Sequence, residues 1–222
     1  MTASIRALIF DLDGVLTNTP MLHYDSWKRL AADENIPFTW DQHERMQGKV
    51  RHDSLAVFLN GRPVSDEQAK ALMARKNEYF LELLENVTPA DSFPGVLELL
   101  TEAKKKGFRI GLGSSSMNAR NVISKLGLAP FFEVLGDGHS VSRHKPAPDI
   151  FLWTAQQLGV EPRQAVVFED SEAGMQAAIN GGFWRVGLGG KHGKGAHLEY
   201  ETMAEIQLDD LLAKLATFGN FA

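Results

Sequence analysis

The sequence predicts an α/β fold: a doubly wound parallel sheet, with a small helical cap domain inserted after the first strand. Two observations carry this. Short apolar runs alternate with helical patterns along most of the chain, and several runs end abruptly at acidic or hydroxyl residues. Between about residues 20 and 85 the alternation stops and only helical patterns remain. Apolar strands alternating with helices need cover on both faces, which crossover helices supply.

Residues 5–10 form the first apolar run, which stops at Asp11 and reads as a buried strand. Similar runs recur at 108–113, 132–135, 165–168 and 183–188. Helical patterns lie between them at 94–106, 118–126, 147–158 and 172–180. Right-handed crossovers bring the strand ends to one edge, and ligands bind in the crevice there. In the inserted segment the longest helical pattern covers 65–85, and Ser65 and Gln68 stand at capping-box spacing. The joints fall at 15–19 and 86–93, the second marked by Pro89 and Pro94. This divides the chain into a core, 1–16 and 88–222, and a cap, 17–87. The Gly- and Lys-rich stretch 189–197 reads as a loop.

Composition narrows the function classes. The 222 residues allow one large domain or two modest ones, with 44% hydrophobic and 23% charged residues. A net charge of −5 without a basic run argues against nucleic acid and anionic membranes as partners. The absence of cysteine excludes disulfides and thiolate metal sites. The start, Met1 to Arg6, lacks a signal-peptide pattern, and no segment approaches the ~20 apolar residues of a membrane helix. The expectation is a cytoplasmic protein.

Four strand ends carry candidate chemistry. Asp11 and Asp13 follow the first strand, two carboxylates on one face of an extended end, with Gly14 permitting a tight turn. One suits a nucleophile and metal ligand, the other a general acid/base. Alone, this motif is also an ordinary surface turn. Ser114-Ser115-Ser116 follow the second long run, where a hydroxyl and helix amides suit a phosphate oxygen, or simply cap a helix. Lys145 sits in His-Lys-Pro-Ala-Pro, held beside Pro146, and can neutralise phosphate or carboxylate, although most lone lysines are solvated. Glu169 and Asp170 end the run 165–168, and a buried acidic pair is costly without a cation. Magnesium suits such oxygens. Helix capping would account for Asp170 but not for Glu169.

In this order the four motifs resemble the haloacid dehalogenase superfamily of phosphotransferases. Phe10 to Val15, His23, Trp27, Gly48, Arg51 to Leu55, Arg75-Lys76-Asn77, Val87 to Asp91 and Ser142 to Phe151 narrow the resemblance to its β-phosphoglucomutase family. That resemblance implies a Rossmann-like core and a phosphoryl-transfer enzyme that converts β-D-glucose 1-phosphate to glucose 6-phosphate. Asp11 would be phosphorylated and Asp13 would act as acid/base. Mg2+ would sit on Asp11, the Asp13 backbone carbonyl and Asp170, with Glu169 close by. Ser114, Ser115 and Lys145 would hold the transferring phosphoryl group. Arg51, Ser116 and Asn118 would hold the distal phosphate. Cap residues His23, Trp27, Gly48, Lys49, Ser54 and Lys76 would contact substrate, with a His23–Lys76 contact helping to align Asp13.

Two departures bear on the substrate. Met117 stands where the family pattern has lysine, and no arginine matches one expected near residues 38–41. Lys49 stands where the family can have an apolar residue, and it can supply the missing charge. The alternatives are a magnesium-dependent sugar-phosphate phosphatase of the same superfamily, or an inactive sugar-phosphate binding module. Intact Asp11, Asp13, Lys145 and Asp170 argue against the last. A cap that must move suits a monomer.

Overall fold

The computed structural model describes residues 4–190 and 193–219. Its sheet has six strands, all parallel, in the order β3-β2-β1-β4-β5-β6. The strands are β1 (Ala7–Phe10), β2 (Arg109–Gly113), β3 (Val134–Gly136), β4 (Ala165–Glu169), β5 (Trp184–Leu188) and β6 (Leu198–Tyr200). The chain builds outward from β1 to β3 on one side, then returns to place β4 on the other. Strand β1 therefore lies at the switch point, where an α/β sheet opens a crevice at its carboxyl edge.

Every residue of β1 is buried, and the two faces separate by period-two alternation. Leu8 and Phe10 join Val166 and Phe168 in one apolar cluster, while Ala7 and Ile9 join Ala165 and Val167 in another. The first cluster is covered by α5 (Val96–Lys105), α6 (Ala119–Lys125) and α9 (Leu208–Thr217), the second by α7 (Asp149–Gln157) and α8 (Glu172–Asn180). Phe10 stacks on Phe168 with ring centroids 4.5 Å apart, which locks β1 to β4 beside the strand ends.

Four helices stand between β1 and α5: α1 (Thr19–Glu34), α2 (Trp40–Glu44), α3 (Arg51–Leu59) and α4 (Asp66–Leu84). They bury their own cluster of Trp27, Leu30, Ala31, Met46, Leu55, Phe58 and Leu72. The Ser65–Gln68 capping box opens α4 as its spacing predicts. The inward face of α4 runs Leu72, Lys76, Phe80, Leu84. The two chain crossings pair with each other: Thr17 bridges Ser92, Phe93 N–H donates to Leu16 O at 2.9 Å, and Thr17 Oγ1 donates to Asp91 O at 2.7 Å.

The boundaries differ from the sequence expectations in small ways. Strand β3 starts two residues later than the apolar run, because only Val134 to Gly136 meet β2 in register. Helices α5 and α7 begin after the prolines at 94, 146 and 148 rather than at or between them. β6 and α9 have no counterpart in the expected elements. β6 is three residues of edge strand without an apolar run. α9 does carry a signal, since Leu208, Leu211 and Leu215 recur at helical spacing and are buried. The expected loop at 189–197 holds no regular element among its described residues, and Lys191 and His192 lie outside them. Met1, Thr2 and Ala3 of the N-terminal stretch also lie outside. Among the described residues, no helix is long and apolar enough to cross a membrane.

The Phe10–Phe168 stack makes one stability prediction. Phe168→Ala removes a fully buried ring and should cost about 3–5 kcal/mol. Urea unfolding should show a lower midpoint at unchanged slope; a loss below about 1 kcal/mol would mean the strand pair does not depend on the stack.

Candidate active site

The parallel register sets the site. Phe10 pairs with Leu112 on one side and Phe168 on the other, so Asp11 leaves β1 beside Gly113 and Glu169, the last residues of β2 and β4. Asp11 N–H still donates to Phe168 O at 3.0 Å, which holds its side chain at the carboxyl edge. Gly14, at φ +84°, turns the chain back; a Cβ there would lie 1.9 Å from Asp170 Oδ2. Gly174 plays a similar part beneath Glu169, where a Cβ would meet Oε1 at 1.6 Å. Glycine at these positions lets backbone approach carboxylates that a larger residue would displace.

Lys145 lies between two of these acids. Its ammonium donates to Asp11 Oδ1 at 2.5 Å and to Glu169 Oε1 at 2.6 Å. Both Lys145 and Glu169 are almost sealed from solvent, at 2% and 0% exposure. Glu169 Oε2 accepts from the Asp170 and Ser171 amides, at 2.8 Å each, and from Ser171 Oγ at 3.0 Å. Its carboxylate is thus saturated. Asp11, Glu169 and Asp170 each offer an oxygen within 4.8 Å of the others.

The electrostatics of the cluster are unbalanced. Burial raises Asp11 to about 8; Lys145 pulls it down, and Glu169 and Asp13 push it up. Burial also raises Asp13, against a hydrogen bond from Thr19, and lifts Asp170 well above the usual carboxylate range with Glu169 and Asp11 adding to it. Burial acts to lower Lys145, but Asp11 and Glu169 outweigh it and hold its pKa above the ordinary lysine value. One ammonium therefore faces four carboxyl groups. The donors are hard oxygens, the class that takes magnesium, and a divalent cation would relieve their repulsion.

A cleft of ≈ 740 Å³, open solvent included, lies between this edge and the four-helix unit. Among the sequence-predicted site residues, Asp11, Asp13, His23, Trp27, Gly48, Lys49, Arg51, Ser54, Lys76, Ser115, Ser116 and Asp170 line it. Ser114, Asn118, Lys145 and Glu169 do not. Ser114 is fully buried, and its Oγ accepts from the Ser116 amide at 3.0 Å. Ser115 Oγ is buried with no hydrogen-bond partner, a polar group of the kind an added acceptor would satisfy.

On the cap side, Lys76 Nζ lies 2.6 Å from His23 Nδ1, and His23 Nε2 lies 3.8 Å from Asp13 Oδ1. With Lys76 donating, the imidazole carries its proton on Nε2, towards Asp13. Burial depresses both His23 and Lys76 well below their usual values, with Lys76 and Arg51 respectively adding like charge. His23 stacks on Phe80 at 4.3 Å, which fixes the ring. Gly48, at φ +72°, touches the core: a Cβ there would lie 2.6 Å from Ser171 Oγ.

Sequence reasoning missed several residues of this surface. Pro20, His43, Met46 and Gln47 also line the cleft, beside Met117, which the sequence does mark as a departure. Pro20 lies in α1, His43 in α2, and Met46 and Gln47 in the turn after α2; no local pattern marks these four. Thr19, bonded to Asp13, had a signal in its place at the start of α1 just beyond the acidic motif.

The family model for haloacid dehalogenase-like hydrolases matches residues 5–182, and the chain belongs to that family. A β-phosphoglucomutase of Bacillus subtilis (strain 168) is 36% identical over 210 residues, covering 92% of this chain and 93% of the relative. A phosphorylated carbohydrates phosphatase of Thermotoga maritima is 33% identical over 187 residues, covering 82% and 84%. The crystal structure of a Clostridium difficile β-phosphoglucomutase superposes with a TM-score of 0.91 at 31% identity, covering 96% and 98%. The resemblance read from the motifs is borne out at the level of family and fold.

The raised carboxyls predict a pH dependence for protein freed of divalent ions. An acid whose folded pKa lies above its unfolded value binds more protons when folded. Its stabilising contribution is complete below the unfolded value, 3.8 for Asp11, and is lost as pH rises through about 8. In chelator, urea stability should fall across that window, Asp11→Asn should shrink the slope, and added magnesium should restore most at the alkaline end. A slope in Asp11→Asn as steep as in the wild type would remove Asp11 as its source.

Proposed function

We propose that this protein is a β-phosphoglucomutase, interconverting β-D-glucose 1-phosphate and glucose 6-phosphate through a phosphoaspartate on Asp11 and a glucose 1,6-bisphosphate intermediate. The observation that carries the reading is the pairing of two features in one cleft. Asp11 stands beside a buried ammonium and two further acids. The same cleft takes in Arg51 and Lys49, cations that form no ion pair among the described residues. A mutase must hold two phosphates, whereas simple hydrolysis needs only one.

In this reading Asp13 takes the proton of the sugar 6-hydroxyl as its oxygen attacks the phosphoryl group on Asp11. The bisphosphate then turns around. Asp11 attacks the phosphorus at C1, and Asp13 returns its proton to the departing sugar oxygen. Lys145 offsets negative charge at Asp11, and the Ser114–Ser115 turn, with its orphan Ser115 hydroxyl, receives phosphoryl oxygens. The Asp11 carboxylate, the Asp13 carbonyl and Asp170, with Glu169 close by, would hold magnesium, which would supply charge neutralisation at the transferring group. The His23–Lys76 pair aligns Asp13 from the cap. Trp27, Gly48, Ser54 and Ser116 shape the sugar site, with Asn118 behind them. Residues 17–87 act as a cap on the core of 1–16 and 88–222, closing about the paired crossings and excluding water from the phosphoaspartate. The protein acts as a monomer on a small sugar phosphate.

A second reading, a sugar-phosphate phosphatase, is favoured by Met117, which puts an uncharged side chain where the cleft would otherwise gain a cation.

The deciding experiment supplies β-glucose 1-phosphate, magnesium and a bisphosphate primer to pure protein. Glucose 6-phosphate without free phosphate is expected; rapid phosphate release without isomer would select the phosphatase. Asp11→Asn should lose about 10³-fold or more in turnover in either case, and wild-type-like turnover would overturn the phosphoaspartate. Arg51→Ala should impair isomerisation far more than phosphorylation of Asp11 by a small donor. Equal losses would remove Arg51 from the distal site.

A further inference from the structure

Arg51 opens α3 on the cap side, and Asn118 caps the start of α6 in the core. Both meet one atom. Asn77, on α4, accepts from Arg51 Nη2 at 2.6 Å and from Asn118 Nδ2 at 2.8 Å through the same Oδ1. The assignment of that atom follows from chemistry, because a guanidinium has only donors and must face the oxygen of the amide. Asn118 is 8% exposed, and its backbone N–H donates to Ser116 Oγ at 3.2 Å. A continuous chain therefore runs Arg51, Asn77, Asn118, Ser116, from the cap into the core and to the wall of the cleft.

Burial lowers the pKa of Arg51, and no carboxylate among the described residues compensates its charge. A carboxylate at position 77 would orient the guanidinium equally well but would cancel it as an anion site. A neutral amide orients it and leaves its charge available to a ligand. The shared oxygen also requires cap and core to be together, since its two donors come from opposite sides.

We propose that Asn77 is a positioning residue: it holds Arg51 and Asn118 on one neutral oxygen, so that the site for the substrate's second phosphate is assembled only when the cap meets the core. This rests on the mutase reading of the same cleft. The phosphate would draw donors from the Asn77 oxygen to its own, and the site would be both aimed and discharged by closure.

The test compares Asn77→Asp and Asn77→Ala in the magnesium-loaded enzyme, with two phosphoryl donors. One is β-glucose 1-phosphate with primer, which needs the distal site. The other is acetyl phosphate, which has no second phosphate. Asn77→Asp should raise KM for β-glucose 1-phosphate at least about tenfold, while leaving acetyl phosphate turnover and the melting temperature near wild type. Asn77→Ala, which loses aim but adds no charge, should raise KM less than Asn77→Asp. An unchanged KM in Asn77→Asp overturns the proposal but leaves the mutase reading intact. So does a parallel loss with both donors, which marks a structural role. A wild type that turns over neither donor overturns both.

Discussion

The site depends on one buried ammonium set among carboxyl groups. Lys145 reaches Asp11 and Glu169 within 2.6 Å, and Asp13 and Asp170 add two more acids at the same sheet edge. Repulsion at such range is tolerable only where the backbone is rigid and counter-charge is supplied. Rigidity comes from the four-residue register of β1 between β2 and β4 and from the Phe10–Phe168 stack beneath it. Glu169 shows the same logic locally. It is wholly buried, yet each of its oxygens is bonded, one to Lys145 and the other to Ser171 and two amides. The imbalance that remains is of the sign that a divalent cation would relieve.

The four-helix unit works by a different principle. It contributes no carboxylate to the acidic trio and instead faces it with cations and rings. Lys76 is buried against His23, Trp27 and Phe80, where its charge is disfavoured and its contact with His23 becomes informative about Asp13. Gly48 and Asn77 are two points at which this unit touches the core, one by lacking a side chain and one by sharing an oxygen. Gly48 lines the cleft, and Asn77 ties Arg51, which also lines it, to Asn118. The Asp11 edge and the four-helix unit are thereby linked through contacts rather than through a shared residue.

Much of the core was legible because strand ends are local signals. An apolar run that stops at Asp11, or at Glu169-Asp170, announces a buried strand and an exposed edge together. Gly14 was legible as a turn, although its close approach to Asp170 was not, since that neighbour lies more than 150 residues away in sequence. Lys76 and its contact with His23 came from the family resemblance. His43, Met46 and Gln47 carried no sign of the cleft, because a side chain's lining role depends on how α2 and its following turn sit on the other helices.

The sequence by itself determined the alternation of strands and helices, the place of the insertion and the order of the four motifs. These are set by local periodicity and by turn chemistry, which operate over a few residues. Only the tertiary structure decided that Lys145 divides itself between Asp11 and Glu169, that Ser114 lies beneath the cleft rather than on it, and that Asn77 joins Arg51 to Asn118. Each of these is a contact between groups brought together by sheet register and helix packing, and no short-range pattern encodes a distance across the fold.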